Sequence, residues 1–188
     1  MKPPRVPEEQ LRRVLSTAKL NGLGVAIVAG VGALGSLAFG DLMGVAVGVL
    51  VTVGGLMELS GRKQVARGDA GGLRRLVRSQ LLVLGVVVVY AVSRFASFDA
   101  ESAMGNLTPE MRMEMAQAGV DLAAILPMVR LMFYALYGSL AVVTLFYQGG
   151  LALYYRRHTA AVKLALAARL QPAVSRVVPG PAPEDLLT

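Results

Sequence analysis

Two charge-free apolar runs stand almost end to end near the start of this chain. Residues 20–40 contain no Asp, Glu, Lys or Arg, Asp41 follows, and residues 42–57 are again uncharged. A helix needs roughly 20 residues to cross a hydrocarbon core of ~30 Å, fewer where flanking polar groups reach outward. Each run is about that long, and little more than Gly40-Asp41 joins them. Gly40 suits the left-handed position that ends one helix, and the Asp41 carboxylate suits the cap of the next. A tight transmembrane helical hairpin is therefore expected, with the rest of the chain packed against it.

Composition agrees with that reading. A hydrophobic fraction of 55% and a mean hydropathy of +0.57 exceed what a water-soluble fold carries. The net charge of +7 and pI near 10.1 would suggest nucleic acid in a soluble protein. Here the basic residues bracket apolar runs, so membrane orientation and anionic headgroups are expected as partners, and nucleic acid is not. Cysteine is absent, which excludes disulfides, thiolate catalysis and Cys-ligated metals. Arginine far outnumbers lysine and Ala, Gly, Val and Leu abound, a balance that points to a GC-rich bacterial genome. No signal peptide is expected, because the first apolar run lacks a small-x-small cleavage site and leads at once into a second.

The organisation reads as follows. Residues 1–19 form a basic amphipathic segment lying at the headgroups, with Leu11, Val14, Leu15 and Ala18 on one face. Residues 20–155 form the membrane domain, with spans at 20–39, 42–60, 79–97 and 128–155. The third span has only 15 uncharged residues between Arg78 and Arg94, or ~22 Å of helix, so both arginines must snorkel or pair. Between the last two spans, Thr108-Pro109-Glu110 is a helix start, and a short amphipathic helix is expected over 109–125. Its Met-rich face is read as packing rather than as a soft-metal site, since no His or Cys accompanies it. Phe133, Tyr134 and Tyr137 at one end of the fourth span and Tyr147, Tyr154 and Tyr155 at the other read as interfacial belts. A basic helix is expected over 156–171 and a disordered proline-rich tail over 172–188.

Arginine placement supplies the orientation. Five basic residues lie in the N-terminal segment, six in the connector between the second and third spans, and five in the C-terminal segment. Only Arg94, Arg112 and Arg130 fall on the other side. Four spans alternate consistently with this bias, which places both termini in the cytoplasm.

Small residues recur four apart at Gly22, Ala26 and Gly30 in the first span, and at Gly40, Gly44 and Gly48 in the second. Such spacing lets helix backbones approach closely where no hydrophobic effect drives them together. The stripes either zip the hairpin or face a second subunit.

Glu58 is the sharpest candidate for chemistry. It lies 17 residues beyond Asp41, or ~25 Å along a helix, just inside the inner edge of the core. Asn21, Gln80 and Gln148 are expected at similar depth, and with Glu58 they would make a polar ring suited to proton or cation passage. The competing reading pairs Glu58 with Arg62, four residues on, and leaves the amides as ordinary helix-end residues. On the opposite side Asp41, Arg94 and Arg130 form a candidate charge cluster with Tyr134 or Tyr137, read first as orientation and interhelix pairing. His158, the lone histidine, is expected at the headgroup surface.

Enzyme signatures are missing: there is no G-x-S-x-G, no H-E-x-x-H and no phosphate loop. The stretch Ala38-Phe39-Gly40-Asp41 is similar to the G-x-G-D of intramembrane aspartyl proteases. Ala38 replaces its first glycine, however, and no second aspartate lies within a span to complete a dyad. With Gly54-Gly55 and Glu58 near its end, the first hairpin resembles the glycine-rich hairpins of small bacterial acid-resistance membrane proteins of the HdeD type. That resemblance covers this hairpin alone, carries no specific motif, and assigns no family.

The expected protein is an all-α, polytopic four-span membrane bundle with short amphipathic flanking helices, set in a bacterial cytoplasmic membrane. No cofactor or metal is expected. Two functions follow: a non-enzymatic component acting through self-association or a membrane protein partner, or an oligomeric ion or proton pathway using Glu58 and the neighbouring amides.

Overall fold

The structure is a computed structural model that describes residues 6–98, 108–119 and 122–175. Its described residues are helical, without strands. The helices are α1 (Pro7–Ala38), α2 (Leu42–Ala66), α3 (Gly71–Ala96), the short α4 (Pro109–Gln117) and α5 (Leu122–Ser175). Four of them, α1, α2, α3 and α5, are long and apolar enough to cross a membrane. They pack as a ring in which α1 touches α2 and α5, and α3 touches α2 and α5.

Boundaries differ from expectation in an instructive way. The segment before residue 20 is not a separate helix but the first turns of α1, because neither Pro nor Gly interrupts residues 8–21. The connector after the second span is also mostly helical: α2 runs on to Ala66, and α3 begins at Gly71. Leu73, Leu76 and Val83 lie on its buried face at helical spacing. α5 is one helix through 54 residues and continues past Pro172 to Ser175. α4 stops at Gln117, short of residue 125, because Gly119 turns into the left-handed region at φ 68°. Thr108 Oγ1 accepts from the Met111 amide at the start of α4. Residues 176–188, and the acidic residues Asp99, Glu101 and Asp121, lie outside the described residues.

The apolar core sits at the end of the bundle that holds the start of α1 and the end of α5, called here the terminal end. Leu11, Val14 and Ala18 of α1 meet Val65 of α2, Leu73 and Leu76 of α3, and Tyr155, Val162, Ala165 and Leu166 of α5. Glu8 pairs with Arg169 across the same end. Toward the opposite end, the Asp41 end, large apolar side chains face outward. On the four long helices they fall within residues 20–39, 42–56, 81–92 and 125–153, with Leu164 the exception.

Candidate functional site

The α1–α2 hairpin is built by the chemistry of its turn and the smoothness of its faces. Gly40 adopts φ 71°, and the Asp41 carboxylate caps α2 by accepting from the Gly44 amide at 3.1 Å. Along the hairpin, a Cβ on Gly48 would lie 2.8 Å from Ala33 Cβ, and one on Gly55 would lie 2.8 Å from Ala26 N. One on Gly22 would meet Leu59 and the Gly55 carbonyl at 3.0–3.1 Å, and Gly30 faces Thr52. Gly44 faces Ser36 and Asp41 in the same way. These glycines are taken up within the hairpin.

This close approach brings Asn21 of α1 beside Glu58 of α2. Asn21 Nδ2 donates to Glu58 Oε2 at 2.6 Å and lies 3.4 Å from Gln80 Oε1 on α3. From α5, Tyr155 Oη donates to Glu58 Oε1 at 2.6 Å. All four side chains are buried, Glu58 and Tyr155 almost completely. Glu58 thus collects one polar partner from each of the other three long helices, and no cation pairs with it among the described residues. The expected alternative, Glu58 with Arg62, is not formed: Arg62 Nε donates instead to the Leu15 carbonyl at 3.1 Å.

Gln148 is not part of this group. It lies seven residues before Tyr155 on α5, or ~10 Å along the axis. Tyr155 takes the place on α5 that Gln148 was expected to hold, and it is a core residue rather than a member of an interfacial belt. Gln148 is only 5% exposed, and its Oε1 has no hydrogen-bond partner. It faces a cavity of about 670 Å³ that Asn21 also lines. The floor of the cavity is α2 and α3, with Val51, Val83 and Val87, and its sides are α1 and α5. Leu20, Val28 and Tyr147 on those sides are 71%, 74% and 55% exposed, so the cavity opens laterally between α1 and α5. No charged residue lines it. Gly24 and Gly32 present bare backbone to it, with nothing within 4 Å of where a Cβ would stand.

At the Asp41 end, Arg94 Nη2 lies 2.6 Å from Asp41 Oδ2 and its guanidinium stands 5.1 Å from the Tyr90 ring. The Gly44 amide and then Arg94 hold the Asp41 carboxyl below its ordinary value, against partial desolvation. Tyr137 joins through an edge contact with Tyr90 at 5.7 Å. Arg130 does not join; it is exposed beside Leu126, Pro127 and Tyr134. Phe133 and Tyr134 pack on Phe98 and fasten α5 to the end of α3. His158 Nδ1 meets the Tyr154 carbonyl at 2.9 Å, a contact within its own helix. Among the described residues, no group of His, Cys, Asp and Glu could hold a metal ion.

Sequence reasoning missed Tyr155, Tyr90 and the cavity. Tyr155 carried a signal, since a phenol at the very end of the apolar run, next to Arg156, can turn inward when a carboxylate needs a donor.

The fold and site define, among the described residues, an all-helical bundle with four helices long and apolar enough to cross a membrane, a buried carboxylate held by hydrogen-bond donors and a cavity open to one side. Comparison with protein-family models, curated proteins and solved structures found no match for the chain.

Proposed function

We propose that this chain is a non-enzymatic, four-span protein of a bacterial cytoplasmic membrane that binds an uncharged amphiphile in the cavity between α1 and α5. Membrane residence is supported by the outward apolar side chains of residues 20–56, 81–92 and 125–153. Arginine placement favours both termini on the cytoplasmic side. Reporter fusions at Arg67 and Thr108 should then report opposite compartments.

Gln148 carries the binding reading. A buried amide oxygen without a partner costs about 1–3 kcal/mol, and a ligand hydroxyl or N–H would remove that cost. A partner helix would not do so with its backbone, whose groups are already paired. The cavity volume also lies in the range of small-molecule sites, ~300–1,000 Å³. The uncharged lining selects against phosphate or ammonium headgroups.

Self-association along Gly44 and Gly48 is less favoured, since both glycines face α1 within the hairpin. An ion or proton pathway through Glu58 is also less favoured. Asn21 offers an approach from the cavity, but Leu11, Val14, Val65 and Leu76 fill the bundle beyond it toward the terminal end.

The test is photolabelling of the protein in lipid nanodiscs with a long-chain alcohol carrying a diazirine in its tail. Labelled residues should cluster within 24–36 and 140–148, and Gln148→Leu should lower that labelling several-fold. Labelling spread evenly over the outward faces of α2 and α3, or unchanged in Gln148→Leu, would overturn the reading.

A further inference from the structure

At the terminal end a second cavity, of about 550 Å³, lies between α3 and α5. Arg74 and Arg78 of α3 and Arg156 and Lys163 of α5 line it. The ion pairs among the described residues are Arg13–Glu9, Arg94–Asp41 and Arg169–Glu8, so none of these four cations has a carboxylate partner among those residues. The nearest acid in sequence, Asp69, is turned to the Gly71 amide at 2.7 Å. Ala70 and Gly71, at the N-terminal end of α3, also border the cavity, and the first amide of that helix is taken by Asp69.

Height along the helices identifies the occupant. Leu81, three residues past Arg78, is the first large apolar side chain exposed on α3. Leu153, three residues before Arg156, is the last exposed on α5 before the isolated Leu164. Both arginines therefore sit ~4.5 Å from the edge of the outward apolar surface, the level of a phospholipid headgroup. Leu73 and Val77 supply an apolar wall beside the cations.

We infer that this cavity is a specific site for the phosphate headgroup of an anionic phospholipid, whose acyl chains run up the outward faces of α3 and α5. The inference shares the membrane placement of the preceding reading, but it uses neither Gln148 nor the α1–α5 cavity.

The test is native mass spectrometry of the full chain in neutral detergent, titrated with phosphatidylglycerol, phosphatidylcholine or inorganic phosphate. Phosphatidylglycerol should bind at least about tenfold more tightly than phosphatidylcholine, and Arg78→Gln/Arg156→Gln should remove about fivefold per residue. Arg12→Gln/Lys19→Gln removes the same charge away from the cavity and should change binding less than about twofold. If the first double variant aggregates, the exposed Lys163→Gln carries the comparison, with about fivefold weakening expected. Equal losses in the cavity and control variants would mean general charge attraction and overturn the site. So would phosphatidylcholine binding as tightly as phosphatidylglycerol. Displacement of the lipid by inorganic phosphate at matched concentration would assign the site to a free anion and overturn the lipid. Photolabelling in the α1–α5 cavity should be unchanged by Arg78→Gln/Arg156→Gln, which separates failure here from failure there.

Discussion

Tyr155 donates its phenol hydrogen to Glu58 Oε1 at 2.6 Å across 97 residues of sequence, tying the last long helix to the second. Asn21 takes the other carboxylate oxygen at the same distance. A carboxylate without a cation depends on such donors, because each unmet lone pair in an apolar interior carries a desolvation cost.

Removing one donor should therefore be felt as a coupled loss. Tyr155→Phe is expected to lower stability by about 1–3 kcal/mol, and Glu58→Ala, which leaves the buried Asn21 and Tyr155 donors without their acceptor, by about 2–6 kcal/mol. Combined, they should cost less than the sum, with a coupling of about 0.5–3 kcal/mol. Thermal or steric-trap unfolding in bicelles measures the cycle, and strict additivity would mean that the contact contributes nothing.

Asp41 supplies a pH dependence at the opposite end. Its folded pKa lies below the ordinary carboxylate value of 3.8, chiefly through the Gly44 amide and then through Arg94. The unfolded chain thus binds the proton first. The contribution is complete above the unfolded value and is lost as pH falls through the folded one. With about a third of the side chain exposed, it should amount to about 1 kcal/mol or less. Melting curves between pH 3 and 6 should show this part of the acid loss in the wild type and not in Asp41→Asn.

Gln148→Leu should raise stability while weakening amphiphile binding. The substitution removes a buried amide oxygen that has no partner, a gain of about 1–3 kcal/mol. Opposite signs in a melting experiment and in photolabelling would mark a residue kept for a ligand rather than for the fold. A destabilised Gln148→Leu protein would contradict the geometry.

Two glycines with the same residue type should respond in opposite ways. Gly55→Ala forces a methyl to within 2.8 Å of Ala26 N and the Gly22 carbonyl, both backbone, at an expected cost of about 1–3 kcal/mol. Gly85→Ala meets nothing within 4 Å and should be neutral or stabilising by up to about 1 kcal/mol. Unfolding midpoints of the two variants decide this directly.

What could be read in advance follows the range of each interaction. Asp41 and Gly40 were legible because capping and a left-handed turn act within a few residues. Glu58 was placed by counting helical rise from the Asp41 turn, and Asn21 and Gln80 were expected at the same depth from their positions near the ends of their spans. That level failed for Gln148, because the height of a residue on α5 depends on how far that helix slides against its neighbours. Arg94 rather than Arg130 reaches Asp41, and Arg62 turns to Leu15, since rotation about a helix axis is set by neighbours and not by spacing.

The chain's own pattern determined the four long apolar helices, the tight first turn and the gathering of arginines at one end, because hydropathy and backbone preference are properties of short stretches. Only the tertiary structure decided that Tyr155 completes the Glu58 site, that α1 and α5 part above their shared core, and that four arginines and lysines from two helices face one cavity. Those outcomes depend on how far each helix turns and slides against its neighbours, which close packing of side chains from distant parts of the sequence sets jointly.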